Sequence, residues 1–172
     1  MELCAINWNE LIKILTPFII AFVVYRVWHN QKGKEVIASE TKEFIKNVLE
    51  EATLVSLLRF ETQSSTELIS EKIERLNVVS QNIFRSSLYL DSCLKEPNLI
   101  ELLKNYTEKS NRVYILLRNC ANNYKDNPFV YKKMVRENND DLNLYNKALE
   151  KLIIEITPYS TFQKRFKLKK FN

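Results

Sequence analysis

Few residues in this chain have the type and spacing that chemistry needs. The only histidine, His29, lies between Trp28 and Asn30. A general base needs a partner and a pocket, and one histidine excludes a three-histidine zinc site, so His29 is expected as a polar residue at a boundary. The paired acids Glu50/Glu51 and Asp140/Asp141, with Glu137 nearby, could serve a di-metal site in a helical protein only if Glu-x-x-His motifs converged on them. No Glu-x-x-His occurs. These carboxylates are therefore expected on a solvated face. The chain also lacks GxxxxGK[ST], GxGxxG and GxSxG, which removes the usual phosphate cradles and the nucleophile elbow. No catalytic residue, cofactor or metal is expected, and the chain reads as a non-enzyme.

Cys4, Cys93 and Cys120 are odd in number and far apart, with no CxxC pair. That pattern suggests neither a disulfide framework nor a cysteine-rich zinc site. Cys93 and Cys120 read as small apolar core residues in a reducing compartment.

One further segment has functional chemistry. In "FQKRFKLKKFN", residues 162–172, the bases Lys164, Arg165, Lys167, Lys169 and Lys170 alternate with Phe162, Phe166, Leu168 and Phe171. The bases would attract an anionic lipid surface and the aromatics would insert into it. A solvated end, an RNA or an acidic partner would suit the same composition.

The elements that must position these residues follow from composition. The 172 residues contain a single glycine and four prolines, too few for the tight turns of a β-rich fold. Long helices are the natural alternative. The net charge of +5 is unevenly spread: residues 35–157 carry seventeen Lys/Arg against nineteen Asp/Glu, while residues 158–172 carry five bases and no acid. A near-neutral body argues against a broad nucleic-acid-binding face.

Residues 11–28 are apolar apart from Lys13, Thr16 and Arg26. A bilayer helix needs roughly twenty such residues, and bases near its ends can extend their charges to the interface. Trp8 and Trp28 are twenty residues apart, about 30 Å along a helix and close to the hydrocarbon thickness. Trp8, Tyr25, Arg26 and Trp28 are thus the expected interface anchors. Glu2 and Glu10 precede the run, whereas Arg26, Lys32 and Lys34 follow it. This order is opposite to that of a cleaved signal peptide, and it predicts an N-terminus outside and a C-terminal domain in the cytoplasm, at the inner or plasma membrane.

Beyond "NQKGK", apolar residues recur at helical spacing. One register reads Ile69, Ile73, Leu76, Ser80, Ile83, Ser87, Leu90 and Leu94; a second reads Leu99, Leu103, Tyr106, Ser110, Val113, Leu117, Cys120 and Tyr124. Ile37, Phe44, Ile45, Val48, Leu49, Val55 and Leu58 precede them, and Leu142, Tyr145, Leu149, Leu152 and Ile156 follow. A capping box at Ser64–Glu67, prolines at 97 and 128 in first-turn positions, and Pro158 as a terminator predict helices over 35–61, 65–94, 97–124 and 128–157. "ENNDD" at 137–141 could be a kink or a turn.

The expected architecture is all-α: an N-terminal transmembrane helix and an up-down antiparallel four-helix bundle. The corresponding organisation is an extracytoplasmic 1–10, a membrane helix at 11–28, a juxtamembrane linker at 29–34, a cytoplasmic bundle at 35–157 and a basic aromatic tail at 158–172. In "LIKILTPFIIAFVVYRVWHNQKGKEVIASETKEFI", residues 11–45, an apolar segment ending in Tyr-x-x-Trp runs into a Lys/Glu-rich helix. This resembles small bacterial single-pass membrane proteins, some of which accompany defence or toxin systems. The leading expectation is a non-enzymatic membrane-anchored interaction or accessory protein, with the bilayer and a protein partner or second copy as partners and nucleic acid not expected. Two alternatives stand beside it: an oligomerising effector that permeabilises the bilayer, and a membrane-tethered nucleic-acid-binding module.

Overall fold

In a computed structural model, residues 8–60, 66–124 and 126–161 are described, and all the elements they form are α-helices. These are α1 (Trp8–Phe60), α2 (Thr66–Cys93), α3 (Pro97–Tyr124), α4 (Pro128–Glu137) and α5 (Asn139–Ser160). The chain divides into two compact units, Met1–Val36 and Ile37–Asn172.

In the first unit, α1 includes a window long and apolar enough to cross a membrane, the one such helix among the described residues. None of that window is buried. Pro17 sits inside the helix, where it cannot donate to the carbonyl four residues back. The Thr16 hydroxyl donates to the Ile12 carbonyl at 2.6 Å. Residues 29–34, expected as a linker, are helical. Gly33 alone costs only about 1 kcal/mol of helix propensity, and Lys32 pairs with Glu35 at 3.6 Å across one turn.

The second unit holds the core. Both long registers read from the sequence face inward: Ile69, Leu76, Ile83, Leu90 and Leu94 are buried on one side, and Leu99, Leu103, Tyr106, Val113 and Leu117 on the other. Phe44, Val48, Val55 and Leu58 from α1 and Leu142, Leu152 and Ile156 from α5 complete the cluster. Leu49, expected inside, is exposed, because the buried α1 stripe runs through Val48 and Glu51 instead. Cys120 is buried and Cys93 half-buried, as expected of small core residues. Cys4 lies outside the described residues.

Side-chain pairs define how the helices run. Glu40 meets Ser86, and Glu50 meets Arg75, so α1 and α2 run in opposite directions here. Asp91 meets Lys104 at 3.3 Å across α2 and α3. Cys120 lies near Tyr131, and the Tyr106 ring packs against the Tyr145 ring, tilted by 37° at 5.7 Å between centroids. From the first pair to the second, the partner moves fourteen residues back along α3 and fourteen forward through α4 into α5. The offset survives the break at Asn138, so "ENNDD" is a kink in one continuing path and not a reversal. There the Asn138 side-chain Nδ2 donates to the Met134 carbonyl at 2.8 Å, satisfying an acceptor that the interrupted helix would leave open.

The helix starts at Pro97 and Pro128 match the proline punctuation, and the Asn127 side chain accepts from the Val130 amide at 3.3 Å. Pro158 does not end the last helix. It lies inside α5, which runs to Ser160. A proline this near the end removes only one late hydrogen bond, and the Ser160 hydroxyl returns to the Thr157 carbonyl at 2.8 Å. The predicted capping box involves Ser64, which lies outside the described residues.

Candidate functional site

The stripe that α1 buries in the second unit is not wholly apolar. Glu51 sits on it, 1% exposed, which corrects the expectation of a solvated carboxylate. Helical geometry explains the placement: residues 44, 48, 51, 55 and 58 share one face, three to four apart. Glu50, one residue earlier, points outward, and its Oε1 accepts from Arg75 Nε at 2.6 Å. Glu137 and Asp140 are exposed, as expected.

Four hydroxyls from three other helices converge on Glu51. Its Oε1 accepts from Ser80 Oγ at 2.5 Å and from Ser110 Oγ at 2.7 Å. Its Oε2 accepts from the Tyr106 hydroxyl at 2.6 Å and, more weakly, from the Tyr145 hydroxyl at 3.4 Å. An ionised carboxylate offers only acceptors, and it finds donors here on α2, α3 and α5. Burying a carboxylate costs several kcal/mol; hydrogen bonds to a charged acceptor each return about 1.5–3 kcal/mol. The network therefore balances only when all four helices are in register.

The electrostatic consequence falls on the tyrosines. Burial, followed by the Glu51 charge, pushes the Tyr106 and Tyr145 hydroxyls well above the usual phenol range. Tyr131 is raised chiefly by burial, and its hydroxyl has no hydrogen-bond partner among the described residues. Burial also raises the Cys120 thiol.

Behind Ser80 and Ser110 a groove of about 730 Å³ opens between α2 and α3. A second hollow of about 540 Å³ adjoins it along Asn77, Gln81 and Tyr114. The two serines belong both to the groove wall and to the Glu51 network. Two of the three serines that interrupt the apolar registers, Ser80 and Ser110, were the available signal: polar residues at core positions imply a buried partner.

The sequence-derived anchors fall in the first unit. Tyr25 and Trp28 are exposed, 60% and 56%, Arg26 is exposed, and the Tyr25 ring stacks on His29 at 5.8 Å. Trp8 begins α1. The tail residues Phe162, Lys164, Arg165, Phe166, Lys167, Lys169, Lys170 and Phe171 lie outside the described residues. No group of three or more His, Cys, Asp or Glu that could hold a metal ion occurs among the described residues.

No protein-family model matches the chain, and no curated protein or solved structure matches it.

Proposed function

We infer that this chain is a membrane-anchored, non-enzymatic interaction protein. Residues 11–28 span the bilayer with the N-terminus outside, and residues 35–157 form a cytoplasmic up-down antiparallel four-helix bundle that docks a protein partner or a second copy. The observation that carries this reading is the uncovered apolar window of α1, where Phe18 is 69% exposed and its neighbours Ile14, Ile19 and Phe22 about as much. Such a contiguous apolar surface marks a membrane or an interaction site, and its length suits a bilayer.

Tyr25 and Trp28, one turn apart, suit the inner interface. The excess of Lys and Arg after the window supports the orientation,. The bundle reading is supported by the opposed pairings of α1 with α2, α2 with α3, and α3 with the kinked α4–α5 path, which serves as the fourth helix. The five bases of the tail would add affinity for anionic lipid.

The test is topology in intact cells. A membrane-impermeant thiol reagent should leave Cys93 and Cys120 unlabelled until the membrane is permeabilised and the domain unfolded. Labelling of either from outside would overturn the orientation, and release of the chain from membranes by alkaline carbonate would overturn the anchor.

A further inference from the structure

The groove between α2 and α3 has an unusual floor. Each serine hydroxyl has one proton to donate, and Ser80 and Ser110 both commit theirs to Glu51 Oε1. A further hydroxyl in the wall, that of Thr107, directs its proton to the carbonyls of Leu103 and Lys104, both at 3.0 Å. Towards an occupant, the hydroxyl oxygens of Ser80, Ser110 and Thr107 can only accept. Ile83, Phe84 and Tyr114 supply apolar and aromatic surface beside them, and Phe84 is 55% exposed.

Charge adds a sign to this preference. Among the described residues the donors to Glu51 are all hydroxyls, and no described cation pairs with the carboxylate. Two cations, Arg85 and Lys104, line the groove, but both are exposed, and Lys104 is already paired with Asp91. Water and salt screen charges at such positions. Glu51 acts from a buried site through the two serine oxygens, where its field is screened least.

We propose that the α2–α3 groove binds a small organic ammonium compound with an apolar body, its N–H groups donating to Ser80 Oγ and Ser110 Oγ in front of the Glu51 carboxylate. The volume is that of a small-molecule site. The apolar body lies against Phe84 and Tyr114, where an aromatic ring also favours a nearby cation. This inference is independent of the membrane reading.

Three probes of one shape test it: 2-phenylethylammonium, neutral 2-phenylethanol and anionic 3-phenylpropanoate, titrated into the full chain in a non-ionic detergent and followed by ligand-observed NMR, with empty micelles subtracted. The ammonium probe should bind about tenfold or more tightly than either of the others. Glu51→Gln, near-isosteric but uncharged, should bring the ammonium probe to within about twofold of the alcohol. Should that variant fail to keep its helical thermal transition, Asn111→Trp, a substitution at the exposed rim, replaces it and should abolish ammonium binding by filling the groove. Equal binding of the ammonium and the alcohol, tighter binding of the carboxylate, an unchanged preference in folded Glu51→Gln, or undiminished binding in Asn111→Trp would each overturn the proposal.

Discussion

Tyr106→Phe removes one oxygen and nothing else from the core. In the native chain that oxygen makes a 2.6 Å hydrogen bond to Glu51 Oε2; its removal leaves the carboxylate oxygen with only the 3.4 Å contact from Tyr145. A hydrogen bond to a charged acceptor contributes about 1.5–3 kcal/mol, and Tyr106 is fully buried, so solvent replaces none of it. The expected destabilisation is therefore about 2 kcal/mol, a sizeable part of the roughly 5–15 kcal/mol that holds a domain together. In a Glu51→Leu background the same substitution should behave differently. The Tyr106 hydroxyl would then be a buried donor with only the distant Tyr145 hydroxyl beside it, at 3.4 Å, and its removal should cost about 0.5 kcal/mol or less, or stabilise. Denaturant unfolding of the full chain in detergent, followed by far-UV circular dichroism, yields the four stabilities of the double-mutant cycle. A coupling energy of about 1.5 kcal/mol or more is expected for groups in direct contact. Equal costs of Tyr106→Phe in both backgrounds would show that the hydroxyl does not act through Glu51 and would refute the network as an energetic unit.

Leu117→Asp or Leu152→Asp should unfold the helical domain, since both leucines are fully buried and an unpaired core charge costs several kcal/mol; Glu101→Ala and Lys147→Ala, both at exposed positions, should shift the transition by about 0.5 kcal/mol or less. Alkaline pH should destabilise the fold: the Tyr106, Tyr131 and Tyr145 hydroxyls are raised above their unfolded value of 10.0, so the folded state holds protons that the unfolded state releases. Their contribution is complete below pH 10 and is lost as the pH climbs from there towards the folded values. Absorbance at 295 nm should accordingly show these three ionising only with loss of helical signal, and a simple titration of all eight tyrosines near pH 10 in the folded chain would refute their burial.

The helical class was legible in the sequence because periodicity is local. The registers through Ile69–Leu94 and Leu99–Cys120 need only the 3.6-residue repeat to define a buried face, and every described position in them is buried or half-buried. Proline punctuation located the starts of α3 and α4 for an equally local reason: a first-turn residue has no helical use for its amide proton. The apolar span of α1 needed only counting. The identity of Glu51 as a core residue was different. A carboxylate beside another carboxylate in a Lys/Glu-rich helix has the composition of a solvated face, and nothing within α1 says otherwise. Its burial depends on donors 29, 55, 59 and 94 residues away, which only the packing of four helices brings together. The kink at Asn138 was open for the same reason: "ENNDD" can serve a bend or a turn, and the choice falls to whether α4 and α5 both gain by packing along α3. Local backbone preference, which the sequence states residue by residue, determined the elements; the partners of a buried charge and the path of a broken helix are non-local, and only tertiary structure decided them.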